Sequence, residues 1–391
     1  MPLLLCATPV APGGTPIRFA DALARVDAAA DVAGASEAAR IRRDGLGRLN
    51  SVFTSNPQLT LQPGYRTETN GAGLEGQLTL QQSFNLGGLA RARRAVAEEE
   101  ASVAGSMHRL TRLERRISVA ELWLETWAAQ AASDAAHEEE DAAKELITRL
   151  EHAQSTGGVT KVELATARAF AAEAAALHLE WEGRRVEAGA ALADLLGLDH
   201  IALADGPLPE FVTSGVTLDP RRHARVLVAE AEVRAERERA VETKAQWATQ
   251  LQVSLQGGHD APDQWFGNVG LGVTLPLLEH GAREATAHEA AVRRLEGELT
   301  QEQRRANIRL ELVRHELEHT AETLEVVKGQ QLPAATEAAA LEAKRFAQGE
   351  ATLLELTVLR RQALAARIAA VVAEARYIAA RAHARELEES R

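Results

Sequence analysis

The chain has 391 residues, enough for two or three ordinary domains, yet alanine, glutamate, leucine and arginine dominate it and aromatics make up only 4%. That bias predicts long helices rather than compact layers. A net charge of −12 without a basic block argues against a nucleic-acid surface, the single cysteine excludes an internal disulfide or a cysteine-built zinc site, and the lack of a long apolar run excludes a transmembrane helix but not a membrane β-barrel.

Residues 1–16 read as a tail or the remnant of a signal segment, and Leu3-Leu4-Leu5-Cys6 is similar to a bacterial lipoprotein site, which makes Cys6 a candidate for lipidation. Residues 17–48 read as a helix, with Phe19, Leu23 and Val26 on one stripe. Near Asn56-Pro57 the period changes to two. Leu59 and Leu61 alternate with Thr60 and Gln62, and Leu74, Leu78, Leu80 and Phe84 alternate with Glu75, Gln77, Thr79, Gln81 and Ser83. With T-E-T-N-G-A-G between them, these two runs predict a hairpin over about 57–84. A second hairpin is predicted over about 249–277. There Leu251, Val253 and Leu255 alternate with Gln252, Ser254 and Gln256, and Val269, Leu271 and Val273 alternate with Asn268, Gly270 and Gly272.

Each predicted strand has the length needed to cross a bilayer at a tilt. Each carries one aliphatic face and one amide- and hydroxyl-rich face. Four strands leave two open edges, which lipid does not tolerate, so the sheet is expected to close by association with copies of itself. In that arrangement Leu78, Leu80, Val253, Leu271 and Val273 face lipid. Gln77, Thr79, Gln81, Gln252, Ser254 and Asn268 face a watery lumen. Tyr65, Trp265 and Phe266 are candidates for the membrane interface.

A glycine turn and a long helical tract follow each hairpin. S-F-N-L-G-G-L-A-R-A-R at 83–93 matches P-L-L-E-H-G-A-R-E-A-T at 276–286, with Gly88 and Gly281 in the strand–helix turns. Ile117, Ala120, Leu124 and Trp127 match Leu310, Val313, Leu317 and Thr320 in a 3-4-3 seam. S-T-G-G-V-T-K-V-E-L-A at 155–165 matches A-Q-G-E-A-T-L-L-E-L-T at 347–357. The chain therefore reads as a tandem duplication, 17–197 and 217–391, joined by a linker at 198–216. Each half is a helix, a hairpin and two long helices that meet at a tight turn, about 155–160 in the first half and 347–351 in the second. Helices are expected over 89–154, 159–196 and 351–388, and over 282–331 until Pro333 interrupts.

His315-Glu316-Leu317-Glu318-His319 fits the H-E-x-x-H zinc-peptidase string. His315 and His319 share a helix face and could hold an ion, but such an enzyme needs a third ligand from another element of a compact domain. Here the string lies within a rod, with Leu317 on the seam, so ordinary coiled-coil surface is the favoured reading, and no cofactor is expected. A zinc metallopeptidase and a soluble coiled-coil scaffold are the competing function classes.

Several local patterns carry a family resemblance. They are the apolar–glycine turns S-F-N-L-G-G and P-L-L-E-H-G, the repeated G-x-x-x-x-x-E-L (Gly157 to Glu163-Leu164 and Gly349 to Glu355-Leu356), and A-D-L-L-G-L at 193–198. In this order and spacing the chain resembles the TolC-like bacterial outer-membrane efflux proteins, or outer membrane factors, from about Ile17 to Leu387. Asn56-Pro57 with F-N-L-G-G leans toward the cation-efflux branch.

The resemblance implies a mainly α protein with a small membrane β part. Three chains would supply twelve strands to one outer-membrane barrel, with a hollow α-barrel in the periplasm. It implies a passive duct rather than an enzyme, fed by an inner-membrane transporter through a periplasmic adaptor. The cargo would be metal cations or small toxic molecules; a type I secretion duct is the alternative within the family. The turns at Gly157-Gly158 and Gly349 would form the periplasmic tip, with Glu355 and its counterpart Glu163 as candidate gate or cation-selecting acids. A second acidic position of the family is occupied here by Val358.

Overall fold

A computed structural model of the chain describes residues 14–47, 55–68, 71–155, 158–211, 219–260, 264–277 and 281–389. Cys6 and Gly157 lie outside the described residues. The described residues divide into two compact units, each assembled from separate stretches of both halves of the sequence.

One unit comprises 1–33, 111–219 and 307–391 and is mainly helical. Its helices are α1 (Phe19–Arg25), the C-terminal part of α3 (Leu89–Ser155), α4 (Lys161–Leu196), the end of α6 (Ala282–Leu324), α7 (Leu332–Ala347) and α8 (Leu353–Glu389). The helix expected over 17–48 is instead a short strand, β1 (Thr15–Arg18), then α1, one 3-10 turn at Val26–Ala28, and α2 (Ala30–Leu46). Ala29 breaks the path with an extended backbone, φ −61° and ψ 139°. The stretch after Leu196 holds a second short strand, β4 (Ala202–Asp205), which pairs in parallel with β1 from Thr15↔Ala202 to Arg18↔Asp205. The four-strand count from the sequence therefore becomes six among the described residues.

This two-stranded patch seats the largest core. Trp123 is fully buried, its indole N–H donates to the Ile17 carbonyl at 2.8 Å, and Phe19 meets its ring edge-on at 5.3 Å. Val26, Val32, Val119, Leu124, Leu192, Ala202 and Ala204 close the cluster. Burying both polar and apolar parts of one indole fixes the depth of α3 as well as its rotation. Further along, Leu310 and Val313 of the predicted seam are buried against Ala384, with Leu317 beside them.

Pro333 does not end the second long helical tract. Seven residues upstream of α7, Glu325–Gln331, adopt π-helical geometry, and the Leu332 amide reaches back to the Val327 carbonyl. Proline lacks an N–H and crowds the carbonyl four residues before it. The wider π turn absorbs that mismatch, so the helical path continues into α7.

The other unit comprises 34–110 and 220–306. It contains most of α2, the start of α3, α5 (Ala224–Gln246), the start of α6 and one four-stranded antiparallel sheet. The strands are β2 (Gln58–Glu68), β3 (Gly71–Asn85), β5 (Gln250–Asp260) and β6 (Gln264–Thr274), in the order β2-β3-β5-β6. The two hairpins are thus stitched side by side through β3 and β5, with Leu80 opposite Leu255 and Gln81 opposite Ser254. Pro63 is tolerated because β2 is an edge strand.

Candidate channel sheet and tip turns

The register fixes the two faces of the sheet. Leu59, Leu80, Leu255 and Val269 form one row across all four strands, and Val253 lies between Gln82 and Leu271 in another. Leu78 shares this face with Leu61 and Gly257, and Val273 shares it with Leu251 and Phe84. None of the described residues of the unit covers it. Leu61 is 69% exposed, Leu74 77%, Val269 72% and Leu271 75%. Gln82 and His259 are polar side chains on this face; His259 shares a row with Trp265, and the Gln82 side-chain amide donates to the backbone carbonyls of Ser55 and Ser83 at 3.0 Å.

Gln77, Thr79, Gln81, Gln252, Ser254 and Asn268 lie together on the opposite face. Gln77 donates to the Thr79 hydroxyl at 3.2 Å, and the Ser254 hydroxyl to the Gly270 carbonyl at 3.4 Å. The three aromatics considered for an interface separate. Tyr65 and Trp265 are on the apolar face, 67% and 81% exposed, whereas Phe266 is on the polar face against Gly258.

Both strand–helix turns converge on the α5–β5 junction. Gly88 and Gly281 have φ of +75° and +70°, the left-handed region that disfavours a side chain. A Cβ on Gly281 would collide with the Trp247 indole, and one on the neighbouring Gly87 with the Ala248 methyl. Asn85 organises the first turn. Its amide donates to the Ala245 carbonyl at 2.9 Å, and its side-chain oxygen accepts from the Gly87 and Leu89 amides at 2.8 and 3.3 Å. Asn85 thereby caps α3 and ties it to α5, a role visible in F-N-L-G-G as an asparagine four residues ahead of the helix's first leucine.

The two helix–helix turns expected to form the tip also meet. Leu146, Leu150, Leu164, Leu353 and Leu356 form one buried cluster, flanked by Val159 and Phe346. Gly158 closes the first turn through its amide to the Ala153 carbonyl at 2.9 Å. Gly349, with φ +78°, closes the second, where the Glu350 amide reaches the Arg345 carbonyl at 2.9 Å. The repeated acids have defined partners. Glu163 Oε2 accepts from the Thr160 amide at 2.8 Å and the Thr160 hydroxyl at 2.7 Å, while the Glu163 amide donates to Thr160 Oγ1 at 3.2 Å. Thr352 and Glu355 repeat the arrangement. These are capping boxes, and the signal is plain in T-K-V-E and T-L-L-E. The hydrogen bonds from threonine hold both carboxyls below the usual carboxylate range. Leu164 and Leu356, next in sequence, are the buried anchors of the cluster.

His315 and His319 stack at 5.9 Å on the exposed surface of α6. Among the described residues no group of three close metal-type ligands includes them. Among the described residues α6 provides two imidazoles on one face, and no other element brings a third donor to them.

No protein-family model matches the sequence, and no curated protein matches it. Solved structures do. The outer membrane protein VceC from Vibrio cholerae aligns over 95% of this chain and 96% of its own, with a TM-score of 0.72 at 20% identity. The open-state MtrE outer membrane channel of Neisseria gonorrhoeae aligns over 95% and 88%, with a TM-score of 0.73 at 15% identity. The Campylobacter jejuni CmeC outer membrane channel aligns over 95% and 85%, with a TM-score of 0.72 at 14% identity. Over nearly its whole length this chain therefore shares the fold of these bacterial outer-membrane proteins.

Proposed function

We propose that the chain is the outer-membrane channel of a tripartite efflux system, a passive duct that receives cargo from an inner-membrane transporter through a periplasmic adaptor. One observation carries this reading. The four-stranded sheet has an uncovered aliphatic face, a polar opposite face and two open edges, β2 and β6. Lipid satisfies the first, water in a lumen the second, and only further strands the third. Three copies supply twelve strands and close the cylinder. Leu78, Leu80, Val253, Leu271 and Val273 then meet lipid, and Gln77, Thr79, Gln81, Gln252, Ser254 and Asn268 line the lumen.

The turns at Gly158 and Gly349 form the periplasmic tip, where the adaptor docks. Glu163 and Glu355 place negative charge there, which favours cations over anions in a narrow opening. Metal cations or small cationic toxins fit that charge as cargo. The test is planar-bilayer conductance of detergent-purified protein whose mass has been measured. Discrete channel openings from a trimer are expected. A monodisperse monomer in buffer without detergent, showing no conductance, overturns the reading.

A further inference from the structure

We propose that His137, Glu140 and His178 form a binding site for a divalent transition-metal ion of the zinc, nickel or copper(II) class. His137 and Glu140 are one turn apart on α3, and His178 comes from α4. One donor atom from each lies within 4.8 Å of the other two. His178 Nδ1 is 2.7 Å from Glu140 Oε2, and His137 Nδ1 is 4.0 Å from the same oxygen. Ligands at 2.0–2.2 Å from a tetrahedral zinc ion are about 3.4 Å apart, so the observed pair of distances brackets the requirement and small side-chain rotations meet it.

The surroundings suit a metal as well. His137 Nε2, the nitrogen not needed as a ligand, is 3.4 Å from Asp141 Oδ2. A carboxylate behind a ligating imidazole fixes its tautomer and raises its basicity. Lys144 takes the other Glu140 oxygen, Oε1, at 2.7 Å, so Oε2, hydrogen-bonded to His178 Nδ1 at 2.7 Å, is the oxygen turned toward the two imidazoles. Two imidazoles and one carboxylate without a thiolate select borderline divalent ions over calcium, magnesium or copper(I). The His137 side chain is 54% exposed, so an ion can enter from solvent and a water can take the fourth position.

Such an ion clamps α3 to α4 and requires no channel activity, so the inference stands apart from the proposed function. A full-length chain that binds Zn2+ yet conducts no current would sink the duct and leave the site. The test is isothermal titration of the chelator-treated full chain with Zn2+. One equivalent per chain is expected, weakened more than tenfold by His137→Gln or His178→Gln and unchanged by the double variant His315→Gln/His319→Gln. His137 is exposed, so its variant carries the test even if the His178 variant folds poorly. Absence of stoichiometric binding, retention of full affinity in His137→Gln, or loss of binding only in the His315/His319 variant each overturns the proposal.

Discussion

Glu355 is bound to Thr352 in both directions. Its Oε2 accepts from the Thr352 amide at 2.8 Å and hydroxyl at 2.9 Å, and its own amide donates to Thr352 Oγ1 at 3.3 Å. A carboxylate so engaged at a helix start has a structural reason to be there, whatever it does for ions. The two roles separate by substitution, because glutamine also completes a capping box. Glu355→Gln keeps the cap and removes the charge; Glu355→Ala removes both. Cation-over-anion permeability of the reconstituted channel is expected to fall in both variants. A fall in the alanine variant alone would assign Glu355 to the fold of the tip and not to selectivity.

The capping boxes also predict a pH dependence. Glu163 and Glu355 have folded-state pKa values below the ordinary glutamate value because the Thr160 and Thr352 amides and hydroxyls stabilise the ionised form. A depressed acid contributes stability that is present above its unfolded pKa and lost as pH falls through the folded value. Relative to the double variant Glu163→Gln/Glu355→Gln, the parent should therefore melt higher at neutral pH, with the gap closing as pH drops below about 4.5, the unperturbed value. Thermal melts across that range check it. A gap that widens on acidification contradicts the assignment.

Alternation at period two and a repeat near 193 residues made the hairpins, the glycine turns and the long helices legible in the sequence. Elements too short for alternation to stand out were not. β1 and β4 span four residues each and pair across the whole first half, so neither has a pattern of its own. The junction of β3 with β5 was likewise hidden, because local spacing says nothing about which strands of distant hairpins adjoin. Pro333 misled because proline is read as a break, while a π turn upstream is a tertiary solution with no local signature. The two histidine sites invert in the same way. H-E-L-E-H is conspicuous as a string but has only one helix behind it. His178 joins Glu140 from 38 residues away, at a point set by how α3 and α4 pack.

Two glycines in one unit should respond oppositely to alanine. Gly281 combines φ +70° with a Cβ position filled by Trp247, whereas Gly297 lies exposed within α6 with open space at its Cβ. Gly281→Ala is expected to destabilise by about 1–2 kcal/mol from the left-handed backbone, plus the steric term. Gly297→Ala should stabilise by about 0.5–1 kcal/mol through helix propensity. Denaturant titration gives both, and pairing Gly281→Ala with Trp247→Ala should recover the steric part alone, as a double-mutant cycle.

In the helical core, Trp123→Phe tests the tie between α3 and β1. The ring that faces Phe19 is largely retained, but the Ile17 carbonyl loses its 2.8 Å donor inside a fully buried site. An unsatisfied buried carbonyl costs about 1–3 kcal/mol. The loss should be read in chemical denaturation. A neutral substitution would mean that water reaches Ile17.

Val253 and Ser254 are neighbours on the central strand β5 and point to opposite faces of the sheet. Val253 lies in a row with Leu271, while Ser254 lies in a row with Gln81 and Gly270. If the aliphatic face meets hydrocarbon, Val253→Arg places a guanidinium in lipid and should cost about 2–4 kcal/mol near the bilayer midplane. Ser254→Arg places the same group in a water-filled lumen, where it should leave insertion intact and lower cation conductance. Refolding into lipid vesicles reads the first effect and single-channel recording the second. Equal impairment of insertion by both variants would mean that the two faces see the same environment, a packed protein interior. A sheet whose polar and apolar sides are interchangeable to an arginine cannot be the wall of a pore.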